Sequence, residues 1–223
     1  MNRPSGVTWL MAVGAWGVLL AGSFAVVHAY MARPGPVATV VAARWPAHTE
    51  LGQPSGVAQL LVFLHPRCPC TDATLTNLST LLRAESDLGA PAELTVVISG
   101  PAASGGCPPQ LQRTLDAMGH VKVRIDADGR MARDFGAATS GHVVWSDGQG
   151  RVGFSGGITP GRGHVGPCES LALLAAAMKN RGSDKPVEAT AVYGCSIFDI
   201  DVRGQRAVTG EPSRDIPICC EQP

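Results

Sequence analysis

Two cysteines one residue apart, Cys68 and Cys70, stand in the stretch LVFLHPRCPCTDATLTNL. An apolar run ends there at His65-Pro66, and helix-like sequence begins directly after Cys70. A thiol at such a handover meets the unpaired backbone N–H groups and the positive dipole end of a helix. Its pKa then falls from about 8.5 into roughly the 3.5–7.5 range, making an anion that attacks disulfides or binds soft metals. Arg67 adds positive charge beside Cys68, and Pro69 stiffens the turn between the sulfurs. His65 either tunes Cys68 or simply ends the strand. A Cys-x-Cys disulfide closes a tighter ring than Cys-x-x-Cys. Strain in it raises the reduction potential and suits the pair to oxidising or isomerising other thiols. Inert cysteines, or a metal-ligand pair with no redox turnover, are the alternatives.

Five further cysteines follow: Cys107, Cys168, Cys195, Cys219 and Cys220. Seven cysteines cannot all pair within one chain, so at least one is a thiol or is shared. A chain of 223 residues that is 45% hydrophobic can build a core without disulfide staples, so some of these sulfurs are expected to do chemistry. Lys+Arg and Asp+Glu balance at 18 each, with no basic run, and this argues against a nucleic-acid partner.

The elements that must position the thiols follow from hydrophobic period and turn residues. An uncharged stretch from Val7 to Val27 is long enough to cross a bilayer and reads as an uncleaved membrane anchor rather than a signal peptide. Residues 1–32 are therefore the anchor or signal segment. Residues 33–57, punctuated by Pro and Gly, read as a linker with a short strand at 38–42. A strand at Leu60–Leu64, apolar throughout, should be covered on both faces. A helix from Thr71 to Ala84 comes next, then a strand at Ala92–Ser99 and a helix at Pro108–Met118. A strand at Lys122–Ala127, a short helix, a hairpin at His142–Ser146 and Arg151–Gly156, and a helix at Cys168–Lys179 complete the domain. Residues 58–183 form that domain, and 184–223 an irregular extension with extra cysteines and a short strand within Val187–Tyr193.

This order, βαβ then ββα, predicts an α/β fold with a central mixed sheet and helices on both faces. Together with VFLHPRCPC at the first strand-to-helix corner, it resembles the thioredoxin-like superfamily over residues 58–181. More narrowly, it is similar to the membrane-tethered thioredoxin-like proteins of bacterial envelopes. The motif is one residue shorter than the family's Cys-x-x-Cys, and Ser140-Gly141 stands where the family has a cis-proline. The resemblance implies a three-layer thioredoxin-like fold in which Cys68 attacks and Cys70 resolves. It also implies a domain on the extracytoplasmic, periplasmic side that exchanges with protein thiols or disulfides without a cofactor.

Topology brings further residues toward the thiols. Parallel strands end at one sheet edge, so the exit loops after the second strand and after the hairpin should face the corner. They would carry Cys107 on one loop and Arg162, His164 and Cys168 on the other, with Ser140 entering from the same side. Cys107 and Cys168 could be a structural disulfide, relay thiols, or unrelated. Cys195 is expected to pack back on the domain. Cys219-Cys220 would stay reduced, pair elsewhere, or hold a soft metal as part of a mobile tail. The alternative function is a soft-metal carrier in which Cys68 and Cys70 bind copper with His164 or His65. A thiol peroxidase is disfavoured because the Pro-x-x-x-Thr-x-x-Cys pattern is absent.

Overall fold

The computed structural model describes residues 6–36, 42–84, 92–180 and 186–198. It divides into two units, residues 1–33 and 34–223. The first holds α1, Gly6–Met31, a 26-residue helix with no Asp, Glu, Lys or Arg. At 1.5 Å per residue it measures about 39 Å, more than a bilayer core of about 30 Å. It is long and apolar enough to cross a membrane.

The second unit is built on β1 (Ala58–Leu64), α2 (Thr71–Ala84), β2 (Ala92–Ser99), α3 (Pro109–Ala117) and β3 (Val121–Asp126), followed by the short α4 (Arg130–Asp134). Strands β4 (His142–Ser146) and β5 (Val152–Gly156), helix α5 (Glu169–Lys179) and a two-residue β6 (Glu188–Ala189) complete it. The sheet order is β3-β2-β1-β4-β5-β6. β1, β2 and β3 run parallel, β4 is antiparallel to β1, and β5 is antiparallel to β4. The carboxyl ends of β1, β2 and β5 and the start of β4 therefore share one edge, as the sequence predicts.

β1 lies at the centre and is buried at every residue. Leu60, Val62 and Leu64 face Leu75 and Leu78 of α2, Leu115 of α3 and Leu174 of α5. Leu61 and Phe63 face the other way, onto Met131, Phe135, Trp45 and Ile197. A strand covered on both faces cannot alternate polar and apolar residues, which is why this run is continuously apolar.

Two stretches differ from the sequence expectation. Within 33–57, Trp45 is buried, its ring 4.8 Å edge-on from Phe135 and its indole N–H donating to the Gly52 carbonyl at 2.6 Å. Its backbone N–H bonds to Gly150 O, and Arg44 bridges Arg151, so part of the supposed linker is packed against the hairpin. The proposed strand at 38–42 falls almost wholly outside the described residues. In the extension, β6 pairs with β5 within the stretch expected to form a strand, and Val192 and Ile197 are buried.

His142 carries a pH prediction. It is buried, its Nε2 lies 2.9 Å from Ser155 Oγ, and burial lowers its pKa from 6.5 to about 4. Between those values the unfolded chain holds a proton that the folded chain refuses. Stability should be full above pH 6.5 and decline as pH falls toward 4, by about 3 kcal/mol in all. Denaturant titrations from pH 7 to 4 should show this decline, and His142→Gln should remove its contribution to the slope.

Candidate active site

Two successive turns carry the chain from β1 into α2. The Cys68 N–H donates to His65 O at 3.1 Å, and Thr71 N–H donates to Cys68 O at 3.2 Å. Thr74 N–H then donates to Cys70 O at 3.3 Å, so Cys70 stands at the helix entry with both sulfurs ahead of the first turn. The start of β4 closes over this corner. His65 N–H donates to Ser140 Oγ at 2.9 Å, and Gly141 N–H donates to Phe63 O at 2.8 Å. Gly141 holds φ +92° there, a conformation that favours glycine. No cis peptide bond occurs among the described residues.

The loop after β5 approaches from the other side, held by a residue that sequence reasoning passed over. Asn77, on the buried face of α2, donates to Ile158 O at 2.8 Å and accepts from Gly166 N–H at 2.9 Å. This clamp brings the loop to the helix start, where the Gly163 backbone and the Arg162 charge act on Cys70 in the direction that favours its anion. Arg162 also donates to Gly194 O.

A third cysteine completes the site. The extension runs antiparallel beside the residues leading into β4: Ser140 N–H donates to Cys195 O at 2.8 Å, Ile197 N–H to Ala138 O at 2.9 Å, and Thr139 bridges Ser196. This register sets the Cys195 N–H 3.5 Å from the Cys68 sulfur. Hydrogen bonds from the Cys195 and Cys70 thiols, the Cys195 N–H and the Ser140 hydroxyl hold the Cys68 pKa far below the usual thiol range, against the cost of burial. Cys70 moves the opposite way: its hydrogen bond to Cys68, burial, and the negative charge of Cys68 push its thiol up, outweighing Arg162. The expected thiolate at residue 68 thus has its electrostatic basis, but the sulfur is covered rather than open to solvent. Cys68 and Cys70 are 6% and 7% exposed, and Cys195, read from sequence only as packing back on the domain, lies against Cys68.

The other residues singled out from sequence divide. Ser140 is part of the site. Arg67 is exposed, and its backbone N–H, not its guanidinium, is what bonds to His65 Nδ1, at 3.2 Å. His65 thereby shapes the turn. His164 is exposed, its Nδ1 2.9 Å from Arg162 O, so the copper trio of Cys68, Cys70 and His164 is not assembled. Among the described residues no group of three or more His, Cys, Asp or Glu is arranged to hold a metal ion. All five described cysteines are thiols, and Cys107 and Cys168 form no disulfide. The Cys107 sulfur is 3.7 Å from Pro108 O, and that of Cys168 is 3.5 Å from Ile158 O and 3.2 Å from Ser170 Oγ. The structure brings neither into the sulfur cluster. Cys219 and Cys220 lie outside the described residues.

No family model matches the chain, and no curated protein matches it. Solved structures do. A hypothetical protein from Sinorhizobium meliloti 1021 is 18% identical, with 73% of this chain and 97% of that one covered, at a TM-score of 0.50. An uncharacterised conserved protein from Geobacillus kaustophilus is 16% identical over 75% and 90% of the two chains, at 0.47. A secreted disulfide oxidoreductase from Mycobacterium tuberculosis is 17% identical over 56% and 81%, at 0.38. At these identities the likeness concerns fold alone. Strand order, strand direction and the placement of a cysteine pair at the first strand-to-helix corner together identify the domain behind the N-terminal apolar helix as thioredoxin-like in fold.

Proposed function

We propose that this chain is a membrane-tethered thiol–disulfide oxidoreductase whose reacting sulfur is Cys68. One observation carries the reading: Cys68 sits just ahead of the α2 start with the Cys195 N–H 3.5 Å from its sulfur, and these surroundings favour its anion. Exchange begins when that thiolate attacks a substrate disulfide, forming a mixed disulfide and expelling one substrate thiolate, which takes up a proton. A second thiol of the chain then attacks Cys68, releases the other half of the substrate and leaves an intramolecular disulfide. From the motif alone, that second thiol is Cys70. The chemistry needs sulfur and protons and no cofactor. The substrates are protein thiols or disulfides outside the cytoplasm, with α1 as the anchor. The apolar first segment, long enough to cross a membrane, supports that location.

The test is reduction of insulin disulfides by the full chain in detergent, beside the Cys68→Ser variant and the double variant Cys107→Ser/Cys168→Ser. Exchange should fall to the uncatalysed background in Cys68→Ser and persist in the double variant. Stoichiometric Cu(I) binding with no exchange by the unmodified chain would instead favour the carrier reading.

A further inference from the structure

We propose that Cys195, rather than Cys70, is the thiol that resolves Cys68, so that the working disulfide of this protein joins the helix corner to the C-terminal extension. This deepens the reading above and rests on it.

Three features of the site support it. The first is placement by backbone. The extension is held against residues 138–140 by main-chain bonds at 2.8 and 2.9 Å, which fix Cys195 beside Cys68. The approach is close enough that a Cβ on Gly194 would lie 2.0 Å from Ser140 O. Glycine there lets two backbones meet and lets the next residue reach the sulfur. The second is ring geometry. Cys68 and Cys70 are joined through Pro69, whose ring fixes φ, so their disulfide would have to close a small and stiff loop. A bond between Cys68 and Cys195 joins separate elements already held side by side. The third is access. Cys68 is 6% exposed beneath the extension, so an incoming disulfide must displace residues 194–197. The segment that lifts to admit substrate is the one that carries a thiol when it returns.

The steps balance. The Cys68 thiolate attacks a substrate disulfide RS–SR′, forming Cys68–S–S–R and releasing R′S⁻, which is protonated. The segment returns, and Cys195, losing its proton to solvent, attacks the Cys68 sulfur. A Cys68–Cys195 bond forms, the Cys68–SR bond breaks, and RS⁻ leaves to be protonated. The substrate gains two electrons and the protein pair loses two; an external dithiol reverses the change. Cys70, held protonated, serves as hydrogen-bond donor to the attacking thiolate.

The experiment uses the full chain in detergent with glutathione disulfide as the probe. Samples are acid-quenched, alkylated, digested without reduction and read by mass spectrometry. Unmodified protein and Cys70→Ser should both yield a disulfide between the peptides bearing Cys68 and Cys195. Cys195→Ser should accumulate glutathione on Cys68 and lose turnover. In Cys195→Ala, which leaves no side-chain donor there, the Cys68 alkylation midpoint should also rise by about one to two pH units, since a charge-assisted hydrogen bond is gone. Finding Cys68 joined to Cys70, or to Cys219 or Cys220, with Cys195 alkylated throughout, overturns the proposal, and that result needs no variant to fold. Exchange surviving in Cys68→Ser would sink the underlying reading. Exchange lost in Cys68→Ser but unchanged in Cys195→Ser would sink this inference alone.

Discussion

Gly194→Ala lays the thiol pair open. At pH 9, where Cys68 is a thiolate in either form, its alkylation by a maleimide should speed up about tenfold or more, the change expected when a closed segment loses about 1.4 kcal/mol of protection. The cause is steric and local. The added Cβ would meet Ser140 O at 2.0 Å and Ser140 C at 3.0 Å, both main-chain atoms, with the Thr139 side chain at 3.3 Å. No rotamer change relieves a backbone contact, so residues 194 and 195 must move away. The Cys195 N–H, 3.5 Å from the Cys68 sulfur, moves with them. The same variant should therefore shift the Cys68 titration upward, since it loses donors as it gains access. Gly105→Ala is the control, because nothing lies within 4 Å of a Cβ built there. Equal alkylation rates for Gly194→Ala and the unmodified protein would show that the extension does not guard Cys68.

Trp45→Ala should cost about 3–5 kcal/mol, the range for removing a large buried aromatic from a core. For a domain of this size that lowers the melting temperature on the order of 10 °C. The loss combines the edge-on contact with Phe135, the indole bond to Gly52 O and the cover over Phe63's side of the sheet. Thermal melts followed by circular dichroism decide it. A shift below about 2 °C would mean that residues 43–56 tether the domain without stabilising it. Phe135→Leu, which keeps a large apolar side chain but loses the aromatic edge, should shift the melting temperature less than Trp45→Ala.

What could be read along the chain, and what could not, separates by the range of the interactions involved. β1 and α2 are legible because a doubly covered strand must be apolar at each position and an amphipathic helix must repeat its leucines. The stretch around Trp45 looked like a linker because Pro and Gly mark irregular backbone. They say nothing about whether one aromatic in it finds a ring to pack against. His164 illustrates the reverse case. It sits in the loop that the topology sends to the site, yet it is exposed, its Nδ1 2.9 Å from Arg162 O, and it joins no metal-holding group among the described residues.

From its sequence alone, this protein had its sheet, its helices and the address of Cys68 and Cys70 determined, since all of these depend on local period and on the strand-to-helix order. Only the tertiary structure decided that Cys195 meets Cys68, that Asn77 holds the opposing loop and that Cys68 is covered. The reason is physical: main-chain pairing between residues 138–140 and 195–197 depends on no particular side-chain pattern, so it leaves almost no trace in residue types beyond one glycine at the tightest approach.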